Sequence, residues 1–159
     1  MRLNCNDLRA ALTAENAALR AFVEVLRQEQ QVLLEGKTDQ LNLFAQQKAQ
    51  WILELTKLCE QRQQLLRNCG MTPDRAGMEQ LLQEHYAGES QEAAQWAHLL
   101  HMATRASQIN ACNGLLISER MKNTHRALST LFSTARVPAA YGSDGSTIGF
   151  RATHQIAVA

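Results

Sequence analysis

Proline is nearly absent from this 159-residue chain: Pro73 and Pro138 are the only two. Long stretches are therefore free of the residue that removes a helical hydrogen bond and clashes with the preceding turn. Aromatic side chains are few, at 5% against 45% hydrophobic, and the apolar content is mostly Leu and Ala, which favours helices over sheets. No run approaches the ~18 continuous apolar residues of a membrane-spanning helix, and the opening MRLNCNDLRAALTAEN lacks the apolar stretch of a secretory signal. The chain is expected to be cytoplasmic, with no stable membrane insertion. Its formal net charge is only +1 and its basic residues are dispersed, so no bulk electrostatic case exists for nucleic acid. Cys5, Cys59, Cys69 and Cys112 lack CxxC spacing and read as reduced, small core residues.

Catalytic motifs are missing too. There is no Gly-rich phosphate loop, nucleophile elbow or HExxH, and no histidine follows a glutamate by three residues as in di-iron bundles. His98 and His101 form an i,i+3 pair with no third ligand near in sequence, which reads as surface or half-buried histidine rather than a metal site. The expectation is a binding protein, with no enzymatic activity, cofactor or metal.

What is present is helix. From about Leu3 to Leu34 nothing interrupts the chain, and Gly36-Lys37-Thr38-Asp39 supplies a stop followed by an N-cap. A second helix is expected from about Asp39 to Asn68, closed by Gly70. Two helices of roughly 45 Å joined by so short a loop fold back as an antiparallel hairpin.

The seams test that hairpin. The first reads Leu8, Leu12, Glu15, Leu19, Phe22, Leu26, Glu29, Leu33, and the second Leu41, Phe44, Lys48, Trp51, Leu55, Leu58, Arg62, Leu65, Cys69. Aligned so that facing residue numbers add to 77, the apolar positions from Leu33–Phe44 to Leu8–Cys69 meet one another, Glu29 meets Lys48 and Glu15 meets Arg62. Such charges fix register, because a slip leaves one uncompensated. The alternatives are a solvated seam edge, or that Glu15 and Glu29 face a partner. At roughly 20 Å apart on one helix, the two glutamates are not paired catalytic carboxylates.

In the second half, Thr72-Pro73 reads as a cap followed by proline at the first helical position, opening a short helix over about 73–86. Glu89-Ser90-Gln91-Glu92 then starts a long helix over about 90–132. The Asn113-Gly114 pair within it marks a kink, a helix–helix packing position or a break into two helices. After Ser133 the composition turns rich in Gly, Ser, Thr and Ala, reading as a flexible tail in which Asp144-Gly145 could close a small hairpin. The fold class is all-α: an elongated antiparallel hairpin within a bundle of long helices over residues 1–133, with a flexible C-terminal tail over 134–159.

Several short motifs, in order along most of the chain, resemble the FlgN family. The first seventy residues look like its N-terminal half, with Lys48 in the second turn of the second helix. Asn110-Ala111-Cys112-Asn113-Gly114-Leu115-Leu116-Ile117 resembles the family's N-x-x-N-G-x-x-I segment, and Tyr141-Gly142-Ser143-Asp144-Gly145 its Y-G-x-x-G tail. The resemblance implies a cytoplasmic chaperone of flagellar type III secretion. It implies binding to the C-terminal helices of hook–filament junction proteins, and delivery to the export gate and ATPase-complex components. It assigns client binding to the late helix, around Ile117, Met121, Leu128, Leu131 and Phe132, and gate docking to Tyr141, Gly142, Asp144 and Gly145. Leu128, Leu131 and Phe132 could equally be intramolecular core. The expected oligomeric state is a monomer or weak homodimer. The rival readings are a structural coiled-coil scaffold or tether, predicting a stable homo-oligomer, and a metal-binding or enzymatic bundle, predicting a retained ligand.

Overall fold

The computed structural model describes residues 5–86, 90–134, 140–141 and 147–148. They form α1 (Cys5–Glu35), α2 (Leu41–Asn68), α3 (Arg75–His85) and α4 (Gln91–Thr134), followed by β1 (Ala140–Tyr141) and β2 (Thr147–Ile148). The chain divides into two compact units, residues 1–118 and 119–159.

In the first unit α1 and α2 form the antiparallel hairpin. The α1–α2 corner is set by Gly36, whose φ of 81° places it in the left-handed region that glycine enters without strain. Its amide donates to the Leu33 carbonyl, and the Lys37 amide donates to that of Val32. Gly70 repeats the device at the end of α2, with φ 75°, its amide on Arg67 and the Met71 amide on Leu66. Both pairs satisfy carbonyls that a helix end would otherwise leave unbonded.

Two capping expectations are corrected. Neither Thr38 nor Asp39 caps α2: residues Thr38–Gln40 form a 3-10 turn leading into the helix, and no side-chain cap bond forms there. The turn's own backbone bonds take the place of a cap. At α3 the N-cap is Asp74, not Thr72. The Asp74 carboxylate accepts the Gly77 amide at 2.8 Å and the Thr72 hydroxyl at 2.7 Å, so Thr72 serves the cap instead of being it. These bonds hold the Asp74 carboxyl below its ordinary range, the Gly77 amide first and the Thr72 hydroxyl next. Gly77 permits the arrangement, since a Cβ there would lie 2.0 Å from the Thr72 carbonyl oxygen.

The core joins four helices: Leu8, Leu12, Leu19, Val23 and Leu26 from α1, Leu66 from α2, Met78, Leu81 and Leu82 from α3, and Trp96, Leu99 and Ala106 from α4. α1 carries two buried seams at heptad spacing. Leu12, Leu19, Leu26 and Leu33 lie in the one aligned with α2, while Asn16 and Val23 lie in a second. Polar contacts place α4 along that second seam. Arg9 reaches Glu92 at 2.7 Å, Asn16 Nδ2 donates to the Gln95 carbonyl at 3.0 Å, and Asn113 Nδ2 donates to the Leu26 carbonyl at 2.8 Å. Partner numbers rise together, so the first half of α4 runs parallel to α1. On α2, by contrast, Trp51, Leu55, Leu58 and Leu65 are only half-buried.

Helix α4 starts where Ser90 Oγ accepts the Ala93 amide at 3.1 Å. It then continues unbroken for 44 residues, through Asn113-Gly114, so the expected alternative of two helices is not what forms. Nor is Gly114 a close-packing position: a Cβ there would have nothing within 4 Å. Asn113 is the packed member of the pair. The cysteines divide as well. Cys59 and Cys69 are half-buried, whereas Cys112 is exposed and is not the core residue expected.

The second unit contains α4 from residue 119 onward and the two short strands. These strands are antiparallel, with Ala140 opposite Ile148 and Tyr141 opposite Thr147, inside the span read as a flexible tail. Gly142, Asp144 and Gly145 lie outside the described residues.

Candidate partner-binding surface

Along α4 successive residues turn by about 100°. Met121, Leu128, Leu131 and Phe132 therefore share one face of the helix in the second unit. All four are exposed, Phe132 at 77%. They lie outside the core cluster formed by the described residues. Thr124 sits among them but turns its hydroxyl onto the helix, donating to the Arg120 carbonyl at 3.0 Å and leaving its methyl outward. Arg120 and His125 flank this face, while Arg126 and the Lys122–Glu119 ion pair, at 2.8 Å, lie on the far side of the helix. Ile117 belongs to the first unit, where it is half-buried, and Leu115 (exposed) points away from the Ile117 direction by about 160°. Asn110, the first asparagine of the motif, is exposed.

The two charged pairs of the hairpin seam meet in the structure. Lys48 Nζ lies 2.7 and 3.0 Å from the two oxygens of Glu29. Arg62 donates to both oxygens of Glu15, from Nε at 2.7 Å and from Nη2 at 3.2 Å. Both glutamates are buried. Burial opposes the Arg62 charge, but the hydrogen bond and charge of Glu15 outweigh it and hold the guanidinium above its ordinary value. Neither carboxylate is left facing outward for a partner.

Sequence reasoning missed what Arg62 does next: its guanidinium lies over the Trp96 ring, 4.9 Å from the centroid, within cation–π range. It also missed an adjoining groove of about 540 Å³, floored by Leu19 and walled by Ile52 and Leu55 on one side and Trp96, Leu99 and Leu100 on the other. The signal available was Ile52, an apolar residue off the α2 seam.

Glu92 is the other buried acid. Burial pushes its carboxyl up, yet the hydrogen bond from its own amide and the pairing with Arg9 prevail and lower it. His98 approaches Arg20, a cation and not a metal ligand, at 3.5 Å. No three His, Cys, Asp or Glu side chains converge among the described residues. None of the described helices is long and apolar enough to cross a membrane.

The model of the FlgN protein family matches residues 1–148 of this chain. The chain belongs to the FlgN family. The flagella synthesis protein FlgN of Proteus mirabilis is 28% identical over 141 residues, covering 87% of this chain and 88% of that protein. The fold is shared with the crystal structure of a Pseudomonas aeruginosa protein assigned as a FlgN flagella synthesis protein. The TM-score is 0.62 at 20% identity, covering 74% of this chain and 91% of the other. Membership of the FlgN family gives the chain a chaperone role in flagellar synthesis, with flagellar proteins as partners. FlgN proteins are not known as enzymes.

Proposed function

We propose that this protein is a cytoplasmic export chaperone that captures the C-terminal amphipathic helices of flagellar hook–filament junction proteins. It keeps those helices from premature assembly and delivers them to the export apparatus. The observation that carries this reading is the exposed apolar face of α4 at Met121, Leu128, Leu131 and Phe132. Four large apolar side chains on one face are a helix-in-groove type of contact, in which apolar anchors recur at helical spacing and a polar rim excludes mispairing. Ile117 is proposed to extend the face upstream. Tyr141, with Gly142, Asp144 and Gly145, is proposed to dock at the export gate, separately from client capture. Unloading needs no covalent chemistry from this chain: release follows when another component binds the client or the chaperone more tightly.

The test is co-purification with a hook–filament junction protein. The wild type should form a one-to-one complex, and Met121→Ser/Leu128→Ser/Phe132→Ser should lose it while keeping the wild-type melting temperature. Tyr141→Ala should keep the client and lose the export gate. A wild type that binds no junction protein and runs as a stable oligomer would replace this reading with that of a scaffold.

A further inference from the structure

Asn113 is the last fully buried side chain of α4, at 1% exposure; up to Phe132 every later residue is half-buried or exposed. Its amide is directional. Nδ2 donates to the Leu26 carbonyl at 2.8 Å and to Glu29 Oε2 at 2.9 Å. The same carboxylate, itself 2% exposed, takes the ammonium of Lys48. One buried acid of α1 thus collects a donor from α2 and a donor from α4. The orientation of the amide is fixed, because both of its acceptors require the nitrogen. Its oxygen has no hydrogen-bond partner among the described residues. A half-satisfied buried amide is a poor source of net stability. A leucine would fill the space without that cost, so asparagine here points to selection among alignments.

The neighbouring residues show which alignments are at stake. Apolar burial is non-directional, and helices slide past each other in steps of a turn, about 5.4 Å. One turn either way along α4 stand Ile109 and Ile117. Either slip would set an isoleucine against the Glu29 carboxylate and leave one of its lone pairs unbonded. A three-residue slip would offer Asn110 in place of Asn113, but it would carry Trp96 off the Arg62 guanidinium and bring Ala93 there instead.

We infer that Asn113 is a positioning residue that selects the single register in which α4 packs on the α1–α2 hairpin, by pairing with Glu29. The assignment is separate from the client-binding reading and does not depend on it. Two sets of variants of the full chain test it. Asn113→Asp places two carboxylates against one lysine, and amide hydrogen exchange over 99–113 should accelerate about ten-fold or more relative to wild type. The double variant Asn113→Asp/Glu29→Gln moves the carboxylate from α1 to α4 and keeps both a donor amide and the Lys48 partner. Exchange should return to within about three-fold of wild type. Asn113→Leu should stay folded but give doubled or broadened α4 amide resonances, the sign of more than one register. If the double variant exchanges as fast as Asn113→Asp, the side chains do not act as a pair. If Asn113→Leu shows one sharp set of α4 resonances at wild-type positions, register is set elsewhere. Either result overturns the assignment.

Discussion

Helix α4 has two ends of the same make-up and opposite fates. From Glu92 to Asn113 its inward residues are buried, whereas the apolar residues from Met121 to Phe132 are exposed. Periodicity alone does not distinguish them. If anything the exposed end looks more like core, with Leu128, Leu131 and Phe132 in one turn of chain. The buried end presents Glu92, Leu99, Ala106 and Asn113 at successive heptad positions, two of them polar. A sequence announces that a helix has a face; the partner that covers it is written on another helix.

Truncation on the two sides gives the widest separation. Trp96→Ala should destabilise the fold by about 4 kcal/mol, the range for removing a buried tryptophan, read from chemical denaturation. Arg62→Ala should cost about 3 kcal/mol, because it strands the buried Glu15 carboxylate as well as uncovering Trp96. Adding Glu15→Leu to Arg62→Met should recover most of that loss, and failure to recover would mean that the stack on Trp96 matters more than the ion pair. Ser90→Ala, which removes the cap of α4, should cost about 1 kcal/mol and leave its exposed end unaffected.

A pH series probes the same boundary more gently. Glu92 in the folded protein lies below its ordinary value of 4.5, so the unfolded chain binds its proton more readily. Its contribution is therefore present above that value and lost as pH falls through the lower, folded one. Asp74 acts in the same direction. Stability should decline on acidification below about pH 4.5, and Glu92→Gln should show a shallower decline when denaturation midpoints are compared across that range. The smallest effect belongs to the exposed end: Phe132→Ala should shift stability by no more than about 0.5 kcal/mol. A loss near that of Trp96→Ala would show that the exposed face is covered after all.

The hairpin was legible because its polar residues were informative. Four charges on two seams admit one alignment that pairs them, and the Lys48–Glu29 and Arg62–Glu15 contacts are those pairs. The docking of α4 was not legible. Its seam includes Glu92, Ala106 and Asn113, and the facing positions Arg9 and Asn16 on α1 look like solvent-side residues until α4 lies on them. At α3 the sequence reading placed the cap at Thr72. The local turn instead brings the Asp74 carboxylate onto the Gly77 amide, with Thr72 donating to it. For the candidate surface, sequence singled out Met121, Leu128, Leu131 and Phe132 through family likeness. It could not tell an open face from a covered one, and its one sign of the groove beside Trp96 was Ile52, off the α2 seam.

The parallel placement of α4 on α1 also has a temporal side. Polar side-chain contacts between α1 and α2 close loops of 19 to 47 residues, whereas those between α1 and α4 span 78 to 87. Shorter loops cost less entropy to close and form sooner. The hairpin should therefore zip first, with α4 settling onto a surface already made. Trp51 on α2 and Trp96 on α4 give each event its own optical reporter. In stopped-flow refolding of single-tryptophan variants, the Trp51 signal should lead, and simultaneous changes would mean that the helices condense together. A chain growing from its N-terminus meets the same order: by the time Trp96 is made, the guanidinium it will lie beneath has long been waiting.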